Sequence, residues 1–190
     1  MIRQIEERDI PALVELGALM HAESSFADVP FDGREAFALA SRCIEKENWF
    51  CAVAERNGAP VGMFVGNDAP FYFSQARGGF DKLWYVTPTW RGSSAGIRLL
   101  NSFLDWCRLR DLRFVRIGIN TGVGTDQTGH MLQRLGFTST GGNYSLKISN
   151  QPYKRSYDLP PLTGPVWMLV HHHFDLHGND AFWCWWPVSE

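Results

Sequence analysis

Residues 86–100, VTPTWRGSSAGIRLL, join the end of one apolar run to the start of another through a turn of small residues. If a helix begins there, its first backbone N–H groups have no internal partners. Together with the helix dipole they make a seat for an anion, a phosphate or diphosphate above all. Ser93 or Ser94 can cap such a helix, and Gly92, Ala95 and Gly96 keep side chains out of the approach. Arg91 can add charge or order the turn. The alternative is a serine-capped helix packed close to its strand, with Gly96 present for clearance and nothing bound. The stretch has neither GxxxxGK[ST] nor GxGxxG, which excludes a P-loop and a dinucleotide fingerprint.

The other clusters with chemical potential are weaker. In HHHFDLH, residues 171–177, His171, His173 and His177 with Asp175 could converge on a metal, but structural-zinc spacing is absent and no metal is expected. Cys43, Cys51, Cys107 and Cys184 have no CxxC spacing. The first three fall within apolar patterns and read as buried thiols.

The elements that must position the turn follow from periodicity. Residues 2–7 read as a strand, and Asp9 caps a helix with Pro11 in its first turn and Leu13, Leu16 and Met20 on one face. Asp32 and Glu35 form a capping-box pattern before Ala36, Leu39, Ala40 and Cys43, an amphipathic series. WFCAVAER and APVGMFVG, residues 49–56 and 59–66, are strands joined by Asn57-Gly58, a hairpin signal. A glycine-containing loop is predicted over 67–79, a strand over 81–88, and then the turn and its helix, with Leu100, Phe103, Leu104 and Cys107 aligned. RFVRIGIN, residues 113–120, is a buried strand. TDQTGHMLQRLGF, residues 125–137, is a helix stopped by Gly136, and NYSLKI, residues 143–148, is a last strand. The order β-α-α-β-β-β-α-β-α-β predicts an α/β fold: a mixed sheet flanked by helices, with a parallel pair and crossover within 81–120.

Residues 1–150 read as one domain. Residues 151–190 read as an aromatic-rich extension laid over the domain or a partner, with Trp183, Trp185 and Trp186 as burial anchors; it is compatible with a homodimer. The chain has 190 residues, 45% hydrophobic and 20% charged, and a net charge of −2, which argues against a nucleic-acid surface. MIRQIEERDIP lacks a signal-peptide core and no segment approaches membrane-spanning length, so a cytoplasmic protein with no membrane partner is predicted.

Taken together, the turn and its surroundings resemble the GNAT superfamily of N-acetyltransferases. Its acyl-CoA loop has the pattern Arg/Gln-x-x-Gly-x-Gly/Ala after a strand ending Val-x-Pro. Val86-Thr87-Pro88, Arg91 and Gly96 match, with Ser94 in place of the first glycine. Leu135-Gly136-Phe137 matches the family's helix end, and element order agrees over about residues 1–148. MHAESSF and GFTSTGGNYSLKI most resemble small members found in bacteriophage genomes.

The resemblance implies acetyl-CoA as cosubstrate in a cleft where strands 82–87 and 113–119 splay apart. The diphosphate would meet the N–H groups of Arg91, Gly92, Ser93, Ser94, Ala95 and Gly96, and a backbone N–H near Tyr85 or Val86 would hold the thioester carbonyl. Asn120 and Thr125 are candidates for a further cofactor contact. The acceptor would be a small-molecule or peptide amine. Asp81 is the first candidate for the base that takes the amine proton, and Glu23, beside His21, is a second or an amine-binding group. The family often places a tyrosine acid three residues before the Leu of Leu-Gly-Phe; here that residue is Leu132, which leaves Tyr85, Tyr144 or His130 as donors, or an unassisted thiolate. The missing tyrosine also admits a non-catalytic module that binds CoA or a partner protein. A toxin-like enzyme acting on aminoacyl-tRNA fits the acidic balance least.

Overall fold

The computed structural model describes residues 1–145, of which Met1–Asn143 form one compact unit. The elements are β1 (Ile2–Gln4), α1 (Ile10–Glu23), α2 (Gly33–Glu45), β2 (Trp49–Arg56), β3 (Ala59–Pro70), β4 (Arg77–Val86), α3 (Ala95–Leu109), β5 (Phe114–Arg116) and α4 (Thr125–Arg134). They make one sheet in the order β1-β2-β3-β4-β5, antiparallel throughout except for the parallel pair β4–β5. This is the expected mixed sheet. The predicted strand 143–148 runs into residues outside those described, as do the boundary at 150, the tail histidines, the tail tryptophans and Cys184.

Side chains alternate across the strands and divide the core in two. Phe50, Ala52 and Phe64 face Leu99, Phe103 and Leu132 on one side. Cys51, Val53, Met63, Val65 and Tyr85 face Ile10, Leu13, Leu16 and Ala40 on the other. The hairpin at Asn57-Gly58 takes the two left-handed residues that its turn requires, φ 52° and 80°. Cys43, Cys51 and Cys107 are free thiols. Burial pushes the Cys107 thiol up to about 12 and raises Cys51 strongly, so neither is a nucleophile at neutral pH.

Five local expectations are corrected. β1 ends at Gln4, and Asp9 makes no side-chain cap; its buried carboxylate instead takes both Arg3 guanidinium nitrogens at 2.6 and 2.8 Å. Asp32 caps α2 through the Arg34 N–H at 2.9 Å, without a return bond from Glu35 among the described residues. The strand expected over 113–120 is paired only at Phe114–Arg116. Most of the loop expected over 67–79 is strand, because β3 runs to Pro70 and β4 starts at Arg77.

That extension is held by Asp68, fully buried, which accepts from Arg77 Nε at 2.9 Å and Arg110 Nε at 2.7 Å, tying β3 and β4 to the end of α3. Its two glycines serve packing rather than looping. A Cβ on Gly78 would lie 2.3 Å from the Phe114 ring, and one on Gly79 would lie 2.5 Å from Cys107 Sγ. Gly79→Ala is therefore expected to destabilise the fold by about 1–3 kcal/mol, read as a lower urea midpoint at unchanged slope.

Candidate functional site

The ladder between β4 and β5 stops at Phe80–Arg116. Beyond it the strands part, and a cavity of about 660 Å³ opens between them. A register shift opposite Val65 and Gly66 makes Lys82 an extra residue on β4 at this point. Asp81 spans the opening: its Oδ1 accepts the Gly118 N–H at 2.8 Å, a side chain standing where a strand partner has left. It lines the cavity, and desolvation there pushes its carboxyl up to about 6 against the pull of the Gly118 bond and of Lys82. Lys82 is itself desolvated and its pKa lowered.

The turn of small residues forms another wall. A short 3-10 turn, Pro88–Trp90, precedes it, and Gly92 takes φ 80°, a left-handed conformation that glycine adopts without strain. Ser93 Oγ donates to the Trp90 carbonyl at 2.7 Å and accepts the Ala95 N–H at 3.2 Å, so it is Ser93 and not Ser94 that orders the helix start. The N–H groups of Arg91 and Ser93 are bonded back to Pro88 and Trp90. Those of Gly92, Ser94, Gly96 and Ile97 make no hydrogen bond among the described residues. Gly92, Gly96 and Ile97 line the cavity, and three such donors around one helix start fit an anion.

Gly96 distinguishes the two readings of this turn. An added Cβ would meet nothing closer than Trp84 Cζ2 at 3.7 Å, an ordinary contact, and its φ is not left-handed. Packing does not require a glycine there.

The third wall is Glu23 at the end of α1. Its Oε1 accepts from Arg91 Nη2 at 2.5 Å, while Arg91 Nε donates to the Val86 carbonyl at 3.0 Å and the guanidinium lies 5.5 Å from the Tyr85 ring centre. The Arg91 bond holds the Glu23 carboxyl below its usual range. Burial, and then Glu23, push the Tyr85 phenol up to about 12. Thr87 N–H donates to Val61 on β3, so by alternation the Val86 N–H points the other way, into the cleft. Above, Ser25 N–H and Oγ donate to the Thr121 and Asn120 carbonyls at 2.7 and 3.2 Å, fastening the α1–α2 connection across the cavity.

The structure thus gathers Asp81, Glu23, Tyr85, Val86, Arg91, Gly92, Ser93, Gly96 and Asn120 around one space. Ser94 and Thr125 do not line it, and Ala95 points into the core. On α4 the facing residues are Gln127, Thr128 and Met131. Leu132, the position considered for an acid, is buried beside Leu99 and Phe103. His130 is exposed and away from the cavity, and Tyr144 falls outside the compact unit. Trp84 and Trp90 also line the space and were not singled out from the sequence; alternation on β4 with Val86 was the available signal for Trp84.

The family model described as Acetyltransferase (GNAT) family matches residues 16–137. None of the curated proteins matches the chain by sequence. Solved structures with this fold include a ribosomal-protein-alanine N-acetyltransferase from Brucella melitensis biovar Abortus 2308, 17% identical, with 78% of this chain and 99% of that one covered at a TM-score of 0.59. A predicted acetyltransferase from Clostridium acetobutylicum, solved with acetyl-CoA, is 16% identical over 77% of this chain and 95% of that one, TM-score 0.63. AAC(6')-Iy, solved with a bisubstrate analogue, CoA-S-monomethyl-acetylneamine, is 16% identical over 78% and 97%, TM-score 0.63.

Proposed function

Since the chain belongs to the GNAT acetyltransferase family, we propose that it transfers the acetyl group of acetyl-CoA directly to a primary amine on a small molecule or peptide. The observation that carries this reading is the set of unbonded N–H groups at Gly92, Gly96 and Ile97, three residues that line the cavity. They supply the diphosphate seat, and the thioester arm then lies along β4 between the parted strands. Two of the solved structures with this fold were solved with acetyl-CoA or a CoA-linked analogue, in keeping with such a seat.

The reaction needs three things from the chain. The amine must be neutral, and Asp81, with its raised pKa and its place on the cavity wall, takes the ammonium proton. As the amine nitrogen bonds to the thioester carbon, the Val86 N–H holds the developing oxyanion. The carbon–sulfur bond then breaks. A thiol of pKa about 8.5 leaves readily; the new amide nitrogen gives up its remaining extra proton to solvent, and the departing sulfur takes one from solvent without a tyrosine acid. Tyr85 remains protonated and packs the site. Glu23, neutralised by Arg91, fixes the loop to α1 rather than moving a proton.

Calorimetric titration tests the reading. Micromolar acetyl-CoA binding, followed by amine-dependent release of free thiol, is the expected outcome; no binding overturns it. A second reading has one specific observation in its favour: Leu132 and Met131 leave α4 without an acid facing the cavity. A non-catalytic CoA-binding module would bind acetyl-CoA yet release no thiol with any amine.

A further inference from the structure

Trp84 has a feature that packing alone does not use. It stands on β4 one residue from Tyr85 and lines the cavity. Its indole packs against Phe64 in a tilted arrangement, with ring centres 5.8 Å apart and planes at 48°. Its Cζ2–Nε1 edge is turned to the start of α3: a Cβ built on Gly96 would stand 3.7 Å from Cζ2 and 3.8 Å from Nε1. Nε1 makes no hydrogen bond among the described residues and is not sealed from solvent, on a side chain that lines the cavity. An indole N–H is a donor only, and tryptophans with the ring buried ordinarily find it an acceptor. The helix start that this edge faces carries the free N–H groups of Gly96 and Ile97, so an acceptor placed there meets donors from both sides.

Resting on the acetyl-CoA reading above, we propose that the Trp84 indole N–H is a further cofactor-binding group, donating to a diphosphate oxygen of the bound acyl-CoA. The seat then has a side-chain donor from β4 opposite the backbone donors of α3, so the diphosphate is gripped from both walls of the cleft. This also accounts for glycine at position 96. A methyl meets only ordinary contacts in the fold, but it would stand between the indole edge and the helix start, where the bridging oxygen belongs.

The test is Trp84→Phe, which keeps an aromatic ring against Phe64 and removes the donor. Acetyl-CoA affinity by calorimetry is expected to fall about tenfold, as for loss of one charge-assisted hydrogen bond, with the thermal midpoint little changed. In a ¹H–¹⁵N spectrum, the indole resonance missing from the variant identifies Trp84, and in the wild type it should move downfield on adding acetyl-CoA. Wild-type binding with that resonance unmoved, or with affinity in the variant unchanged within twofold, overturns this proposal alone. Failure of the wild type to bind overturns it together with the acetyl-CoA reading. Should the variant unfold, the resonance shift in the wild type still decides.

Discussion

Asp81→Asn is expected to lower turnover by about 10²–10⁴-fold at neutral pH, with acetyl-CoA affinity changed little. The substitution keeps the shape, and the amide oxygen can still accept the Gly118 N–H, so the cleft should stay open. What is lost is a carboxylate able to take a proton. In the wild type, with Asp81 near 6, activity on a primary amine acceptor should rise with pH through about 6 and then level; in the variant that limb should vanish. Stability gives an internal control. The folded protein holds this proton more tightly than the unfolded chain, whose carboxyl titrates near 3.8. Asp81 therefore favours the fold most below about pH 4 and loses that contribution as pH rises through about 6. The asparagine variant, with nothing to ionise, should be at least as stable as wild type at pH 7. A variant that is stable, binds acetyl-CoA and turns over normally would remove Asp81 from the chemistry.

Gly96→Glu should abolish acetyl-CoA binding, weakening it by more than about 100-fold, while Gly96→Ala retains the fold. The alanine methyl has room at 3.7 Å from Trp84, so any loss it causes reports on the ligand rather than on packing. The glutamate adds bulk and a negative charge where a diphosphate must sit, and an acidic side chain in the first turn of α3 is itself compatible with the helix dipole. Calorimetry with circular dichroism separates the effects. Unimpaired binding by a folded Gly96→Glu protein would place the cofactor elsewhere and return this turn to a purely structural role.

Local signals in the sequence carried the parts of the fold that depend on few residues. Asn57-Gly58 dictates its hairpin, Gly136 ends α4 at φ 91°, and the Leu100–Cys107 stripe of α3 lies on one core face. Failures came where a distant partner decides. Gly78 and Gly79 read as loop residues because local preference cannot reveal that Phe114 and Cys107 will press on their backbone. Asp68 reads as a turn residue until Arg110, far along the chain, is brought to it by α3. Asp81, Arg91, Gly92, Ser93 and Gly96 could be picked out from the sequence as candidates and line one cavity in the structure, because backbone exposure follows from residue size and strand position. The facing residues of α4 were not: the motif fixes Leu132 in register with a family position, but the helix turns it into the core and presents Met131 instead. The Arg91–Glu23 bond, 68 residues apart in sequence, was equally hidden, and on the function proposed above it makes Glu23 a tether.

The parting of β4 from β5 gives the sheet an edge in its interior. From Leu83 to Val86, β4 has a neighbour on the β3 side alone, so alternate main-chain donors and acceptors face a gap. An uncovered edge usually invites another chain to add a strand, and proteins guard such edges with charge, bulges or cover. Here the edge is recessed between α3, α4 and the fastened α1–α2 connection, with an extra residue at Lys82 bending its lower end. A thin amide-bearing ligand can lie along it and complete the main-chain pairing that β5 abandons. On this view the sheet has one half-strand fewer than its backbone can pair, and the acyl-CoA proposed above is the piece that finishes it.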